Sequence, residues 1–143
     1  MMTASSMPDA SHVGRRFLAS SQSVDAERVS RYAAAVGGTD GACEPGSVPP
    51  TFAAVYCLMP TLAQLFADPE LGIELAGLIH AEQSFEWPEP VRVGDVIDSS
   101  AEIASVERRR GLVFVTVSLE ALTREGRTVC RGRSLLLLRG GEG

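Results

Sequence analysis

Residues 48–52 read Val-Pro-Pro-Thr-Phe, and residues 80–86 read His-Ala-Glu-Gln-Ser-Phe-Glu. Between these two stretches the apolar residues recur at helical spacing, whereas from the second stretch onward they alternate as in a strand. This change of period predicts a buried helix followed by a run of antiparallel strands. The predicted strands are 79–87, 96–107, 112–123 and 127–139.

The residues before the first of these stretches predict less regular structure. Residues 1–12 are expected to form a disordered tail, and residues 15–22 a short strand. A helix is predicted over 25–36, with Asp at its first position as the N-cap and two glycines after its last. Residues 51–67 form the predicted central helix, which Pro60 interrupts. The order of elements indicates an α+β fold in which a helix lies on one curved sheet.

Length and charge narrow the function classes. The 143 residues suffice for one domain with a core, here expected over residues 13–140. A formal net charge of −5 argues against a nucleic-acid binder. Residues 108–140 nevertheless carry eight arginines and two acids. This basic third either attracts an anionic partner or is a solvated strand face.

Cysteine and histidine usage indicates neither a metal site nor a disulfide framework. The chain has three scattered cysteines, no Cys-x-x-Cys and two histidines, so a zinc site is not expected. The most apolar stretch, 52–66, is too short to cross a bilayer, and the N-terminus lacks the pattern of a signal peptide. A cytoplasmic protein with reduced thiols is therefore predicted, with no membrane association.

The two opening stretches, followed by Pro-Val-Arg-Val-Gly-Asp at 90–95, resemble the MaoC-like (3R)-hydroxyacyl-thioester dehydratases and hydratases. The resemblance covers about residues 14–140 and is greatest to the N-terminal, "A-type" halves of that family. It implies a hot-dog fold, in which a long antiparallel sheet wraps a central helix. It also implies two such folds side by side, as two chains or as two halves of one.

Catalytic members of this family carry Gly-Asp-x-Asn-Pro-x-His after the first helix. Loss of water needs a base for the Cα proton and an acid for the leaving hydroxyl. Residues 37–43 here read Gly-Gly-Thr-Asp-Gly-Ala-Cys. Gly38 stands in place of the family's Asp, Asp40 in place of its Asn, and Cys43 in place of its His. The resemblance therefore implies that this chain lacks the catalytic pair.

Three residues remain candidates for a catalytic role, each with a structural alternative. Asp40 could act after a shift of its loop, or could be a turn residue beside a glycine. Cys43 could be a nucleophile, or an inert thiol with no nearby histidine in sequence. His80 could orient a loop or a thioester, or could be a structural histidine bonded to the backbone.

The resemblance also suggests which residues contact an acyl chain, because the acyl tunnel of this fold runs along the central helix. Tyr56, Met59 and Leu62 follow one another at intervals of three and are expected to face the sheet. The alternative for these side chains is ordinary core. The expected substrate-binding residues are Pro50, Thr51, Phe52, Tyr56 and Met59.

The resemblance implies a subunit of a (3R)-hydroxyacyl-thioester dehydratase in fatty-acid, lipid or polyketide biosynthesis. The acyl group would be carried by acyl-carrier protein or coenzyme A, and a second MaoC-like chain would supply Asp and His. No metal or redox cofactor is expected, because the thioester itself acidifies the α-proton. One alternative is a homodimeric thioesterase or repurposed dehydratase that uses Asp40, Cys43 or His80. Another is a non-catalytic acyl-binding or scaffold protein.

Overall fold

The computed structural model describes residues 7–36 and 48–139. The predicted site positions Gly38, Asp40 and Cys43 therefore lie outside the described residues. Two α-helices are present in the described part, α1 over Ala26–Ala35 and α2 over Met59–Phe66. No helix within these ranges has the length and apolarity that crossing a membrane requires.

In the described part of the chain, six strands form one antiparallel sheet. Its order is β1-β4-β5-β6-β3, and β2 also pairs with β4. The predicted α+β architecture, an antiparallel sheet around a central helix, is confirmed. The strands are β1 (Arg16–Leu18), β2 (Gln22–Ser23), β3 (Leu78–Glu86), β4 (Val96–Arg109), β5 (Leu112–Thr123) and β6 (Thr128–Arg139).

Strand β5 follows directly from its sequence pattern. Every second residue along it is apolar, and successive side chains of a strand point to opposite faces. A two-residue turn, Arg110 and Gly111, joins it to β4, and both residues have positive φ (49° and 80°), as a tight hairpin requires. The core-facing residues of β5 are all buried, as predicted, and are Val113, Val115, Val117, Leu119 and Ala121.

Helix α1 begins where the sequence predicts. The carboxylate of Asp25 accepts a hydrogen bond from the backbone N–H of Arg28 at 3.1 Å, which satisfies one free donor of the first turn. Val29 is the buried residue of this helix. The Tyr32 hydroxyl donates to the carbonyl oxygen of Thr51 at 3.0 Å and so ties α1 to the central helix.

The central helical segment, defined here as residues 50–66, is not a uniform helix. It starts as a 3-10 turn (Pro50–Phe52), continues as a π-helical turn (Ala54–Leu58) and ends as α2. Pro60 has no N–H, so the carbonyl oxygen of Tyr56 lacks its usual helical donor. The buried Ser99 hydroxyl of β4 donates to that oxygen instead, at 2.8 Å.

The π-helical turn changes which side chains face the sheet. It holds an i→i+5 hydrogen bond, from the N–H of Met59 to the carbonyl oxygen of Ala54, and so adds a residue to the turn. Tyr56 and Leu62 are buried as predicted, but Met59 is 65% exposed. The prediction that these three residues share a sheet-facing side is therefore wrong for Met59. The regular helical spacing on which it depended is interrupted between Tyr56 and Met59.

Ordered structure also begins earlier than predicted. Ala10–His12 form a 3-10 turn, and the Asp9 carboxylate accepts a hydrogen bond from the N–H of Ser11 at 2.9 Å. The backbone N–H of Gly14 donates to the carbonyl oxygen of Ile103, which joins this turn to β4. The predicted disordered tail thus does not extend through residue 12.

Gly132 of β6 gives a testable prediction about the pairing of β3. A methyl group there would come within 2.7 Å of the carbonyl oxygen of Ser84 and 3.0 Å of Cδ1 of Phe85. We expect Gly132→Ala to lower the free energy of unfolding by about 1–3 kcal/mol, because the backbone of β3 must shift away from the new methyl group. Chemical denaturation measures this change. In the control variant Gly77→Ala, the new methyl group would find its nearest neighbour at 3.9 Å, and equal stability losses in the two variants would contradict the prediction.

Candidate functional site

A cleft opens beside the N-terminal end of the central helical segment. One side is formed by residues 48–50 and Tyr56, and the other by Trp87 and residues 89–91. Its volume is about 240 Å³, and its lining is largely apolar. Glu89 is the one carboxylate among the described lining residues. The cleft can therefore hold an apolar group, such as part of an acyl chain.

The loop that forms the second side, residues 87–95, is fixed by an arginine from the β5–β6 turn. Arg127 donates to both carboxylate oxygens of Asp95, at 3.1 and 3.3 Å, and to the carbonyl oxygen of Pro90 at 3.2 Å. Asp95 also accepts from the N–H of Arg92 at 2.9 Å. Both partners of this ion pair are partly buried, so their contact is less screened than one on the surface. Arg127 thus holds the loop that forms this wall of the cleft at two residues, Pro90 and Asp95.

Tyr56 contributes a buried hydroxyl beside the cleft. The residue is 2% exposed, and among the described residues its hydroxyl has no hydrogen-bond partner. Burial raises the pKa of the Tyr56 phenol, the neighbouring Cys130 and Cys57 thiols raise it further, and the Trp87 indole N–H opposes them. The phenol is therefore a neutral donor at any physiological pH.

Two fully buried thiols, Cys57 and Cys130, lie next to Tyr56. Their hydrogen bond and burial raise the pKa of Cys57, whereas the same contact lowers the pKa of Cys130 against the effect of burial. Because a nucleophilic cysteine needs a thiolate with access to substrate, Cys57 is not a nucleophile. The spacing of Cys57 and Cys130 in the sequence does not predict that the two thiols lie in contact.

His80 lies on the edge strand β3 and does not line the cleft. A bulge between His80 and Glu82 brings His80 and Gln83 to the same face. Gln83 donates from Nε2 to the carbonyl oxygen of Ser84 at 3.0 Å, and this carbonyl can only accept. Its Oε1 therefore faces Nε2 of His80, at 2.9 Å, and accepts from it.

These contacts determine the histidine tautomer. When His80 is neutral, Nε2 carries the proton and Nδ1 keeps its lone pair. Ser134, which is buried, donates to the same Oε1 of Gln83. The predicted structural alternative, a histidine bonded to the backbone, is not what is observed: His80 is exposed and bonded to a side chain.

The structure separates the five predicted substrate-binding residues. Pro50 and Tyr56 line the cleft. Phe52 is 2% exposed in the core, with its ring edge-to-face against Tyr32 at 5.3 Å. Thr51 is exposed and bonded to Tyr32, and Met59 points outward.

Sequence reasoning missed the opposite wall of the cleft, which contains Trp87 and residues 89–91. The available signal was the pair of prolines at 88 and 90 after β3, which break the strand and force a loop. Within residues 7–36 and 48–139, no three His, Cys, Asp or Glu side chains come together as metal ligands would.

Comparison with known families gives one match that covers most of the chain. Residues 11–131 match the family described as FAS1-like, dehydratase domain region. A UPF0336 protein of Saccharopolyspora erythraea is 35% identical over 92 residues, which are 64% of this chain and 58% of that protein. A UPF0336 protein of Clavibacter michiganensis is 31% identical over 128 residues, 82% of this chain and 85% of that protein. The match thus spans under two thirds of the first relative's length.

Solved structures share the fold. A MaoC-like dehydratase from Rhodospirillum rubrum superposes with a TM-score of 0.68 at 19% identity, over 92% of this chain and 94% of that one. The HadBC (3R)-hydroxyacyl-ACP dehydratase complex of Mycobacterium tuberculosis superposes with a TM-score of 0.67 at 21% identity, over 88% of this chain and 96% of that one. The (R)-hydratase of A. caviae superposes with a TM-score of 0.57 at 26% identity, over 87% of this chain and 94% of that one.

Proposed function

Because the chain belongs to the FAS1-like dehydratase-region family and has its MaoC-like hot-dog fold, we propose that it is the acyl-binding subunit of a (3R)-hydroxyacyl-thioester dehydratase. The reaction is removal of water from a 3-hydroxyacyl thioester, or its reverse. The pathway would be fatty-acid, lipid or polyketide biosynthesis. A second hot-dog chain supplies the Asp and His that act on the substrate.

One observation carries this proposal: the described residues that line the apolar cleft include no acid–base pair. Among the described residues, the ionisable side chains that line it are Tyr56 and Glu89. Tyr56 stays protonated, and Glu89 lies 3.9 Å from the guanidinium of Arg127. Proton abstraction and leaving-group protonation need two groups poised near the working pH, and this pair does not provide them. In sequence, Gly38 and Cys43 replace the family's Asp and His.

The free edge of the sheet supports a second chain. Strand β3 is nine residues long, and β6 is the one described strand that pairs with it. Ile79 on this strand is 59% exposed, and Leu75 just before it is 62% exposed. Long edge strands with exposed apolar residues are usually covered, since they otherwise pair with other chains. The structural neighbours include a two-chain dehydratase complex, which supports the same arrangement.

We expect the chain to be a dimer in solution, preferably with a different hot-dog chain and with itself when it is produced alone. The reason is the uncovered β3 edge. Light scattering combined with size-exclusion chromatography measures the mass. Gly132→Ala, which disturbs the pairing of β3 with β6, should weaken dimerisation, whereas the control Gly77→Ala should not. A stable wild-type monomer at micromolar concentration would count against the arrangement.

The proposed substrate carriers, acyl-carrier protein and coenzyme A, are both anionic. Arg131 and Arg133 on β6 are exposed on the outer face of the sheet. Exposed arginines can attract an anionic carrier over a Debye length, about 8 Å at physiological salt. Turnover with acyl groups on each carrier, with and without the second chain, tests the proposed function.

A thioesterase or repurposed dehydratase remains the second candidate, and His80 is the observation that favours it. Its Nδ1 keeps a lone pair at an exposed strand edge, where a second chain or a substrate could contact it. Two copies of this chain would then be sufficient for activity. The same turnover measurement separates the two candidates, because a thioesterase or repurposed dehydratase is expected to be active without another protein.

A further inference from the structure

We propose that the outer face of the sheet binds a second copy of this chain, with the two sheets face to face and their strands antiparallel. The contact uses five apolar side chains on three strands, called here the outer patch: Ile79, Leu112, Phe114, Leu135 and Leu137. This contact goes beyond the proposed function, because it leaves the β3 edge and the cleft free.

The strand register places the outer patch on the face away from the central helical segment. Leu137 pairs with Phe114 on one side and with Ile79 on the other, and directly paired residues of antiparallel strands share a face. Residues 135–138 are therefore apolar on both faces of the sheet, although the helical segment covers the inner face alone. The sequence neighbours that point into the core are at most 3% exposed and are Val113, Val115, Leu136 and Leu138.

The outer patch is a contiguous apolar group on a face that is otherwise polar beside it. Ile79 is 59% exposed, and the other four side chains are partly exposed. An antiparallel sheet with one face in water normally alternates apolar and polar residues, and β5 and β6 do so beyond the patch. The outward residues there are Ser118, Glu120, Arg131 and Arg133. Grouped exposed apolar residues with a polar border are typical of protein interfaces.

The charges around the outer patch favour a second copy over an acidic protein or an anionic membrane. Four charged residues share its three cross-strand rows, two of each sign: Glu82, Glu107, Arg109 and Arg139. Arg109 donates to the Glu107 carboxylate at 2.8 Å, and its guanidinium lies 5.1 Å from the centre of the Phe114 ring. A border of balanced charge is complementary to itself, whereas an anionic partner would meet two carboxylates.

The other two charged residues determine the orientation. Glu82 pairs with Leu135 in the register, and Arg139 lies four residues further along β6, about 13 Å away, so the two do not meet within one chain. Neither has an ion-pair partner among the described residues. A two-fold axis across the strands at Leu137 brings Arg139 of each copy over the Glu82 end of the other. Sheets packed face to face keep their strands within about 30°, which this arrangement satisfies.

This contact is isologous and closes after two copies. In the proposed two-chain enzyme the β3 edge holds the second hot-dog chain, so the assembly contains two copies of each chain. The outer patch with its border spans three rows on four strands, about 400 Å² per copy. An interface of that size is smaller than those of permanent complexes, so its formation should be reversible and should depend on protein concentration.

Sedimentation equilibrium of the full chain, from micromolar to submillimolar concentration, tests the contact. The wild type should exceed the mass of a dimer as its concentration rises, because the β3 edge and the outer patch are separate surfaces. Leu137→Gln, at the centre of the patch, should weaken this step by at least about 10-fold. The matched control is Leu122→Gln, a partly exposed leucine on the outer face of β5 beyond the patch, which should behave as the wild type.

A charge exchange tests the orientation. Glu82→Arg and Arg139→Glu should each weaken the outer-face contact, because each places like charges opposite one another in the two copies. The double variant should restore the contact. The control Glu102→Arg makes the same charge change on the outer face beyond the patch and should have no effect. A double variant no stronger than the single variants would overturn the proposal.

The outcomes separate this inference from the proposed function. If Leu137→Gln has the wild-type mass at every concentration, the outer patch holds no second copy, so this inference fails and the proposed function stands. If Leu137→Gln is a monomer while Gly132→Ala associates like the wild type, the outer patch is the contact in solution. This inference then stands, and the pairing proposed for the β3 edge fails.

Discussion

The purified chain should dehydrate 3-hydroxyacyl thioesters at least about 100-fold more slowly than the same chain mixed with a hot-dog partner that carries an intact Asp-x-Asn-x-x-His motif. General acid and base groups typically contribute about 10²–10⁴-fold each, and the family resemblance predicts that Gly38 and Cys43 occupy the positions of both. Appearance of the conjugated enoyl thioester, followed by ultraviolet absorbance, measures the rate.

Two variants serve as controls for this measurement. Replacing the partner's motif Asp by Asn should abolish turnover. Cys43→Ala in this chain should leave the turnover rate of the assembled enzyme within a few-fold of the wild-type rate. Activity of this chain alone that is lost in Cys43→Ala, with fold and assembly intact, would favour the thioesterase or repurposed dehydratase. Absence of activity with every motif-bearing partner, combined with retained acyl binding, would favour the non-catalytic binding protein.

Ala53→Trp should lower the free energy of unfolding by about 3 kcal/mol, because Ala53 is fully buried in a filled core. Its helical segment packs against β4 and β5, and Tyr56 and Cys57, about one helical turn away, are buried as well. A tryptophan there has no space that it could occupy without displacing those side chains.

Ala63 provides the matched control because it lies on the same helical segment but on its exposed side. Ala63→Trp should change the free energy of unfolding by no more than about 0.5 kcal/mol. Thermal and chemical denaturation of both variants measure the difference. If Ala53→Trp instead kept full stability and shifted the preferred substrate to shorter acyl chains, an acyl channel would run along the sheet-facing side, as the family resemblance suggested.

The strands and the N-cap of α1 could be predicted because their causes are local. Alternation in β5 and the Asp25 cap are properties of consecutive residues, and they survive in the folded chain unchanged. The position of Met59 could not be predicted in this way. The π-helical turn before it depends on Pro60 and on a hydroxyl from β4, which lies 43 residues away from Tyr56 in sequence.

The site was less predictable than the fold for the same physical reason. Tyr56 was predicted to contact ligand, but the opposite wall of the cleft is brought to it by Arg127, whose partners are 32 and 37 residues away. The tautomer of His80 depends on a β-bulge that no local sequence pattern predicts. Asp40 and Cys43 lie outside the described residues, so their roles stay predictions.

The hydrogen bond from the Ser99 hydroxyl to the Tyr56 carbonyl oxygen has an entropic consequence for binding. Tyr56, which lines the cleft, is anchored through its main chain to strand β4, and the facing loop is anchored through Arg127. The walls of the cleft are therefore preorganised, so most of the conformational freedom lost when a ligand binds there would be the ligand's own. Stiffening the ligand in its bound conformation should therefore improve affinity more than any change that rigidifies the protein.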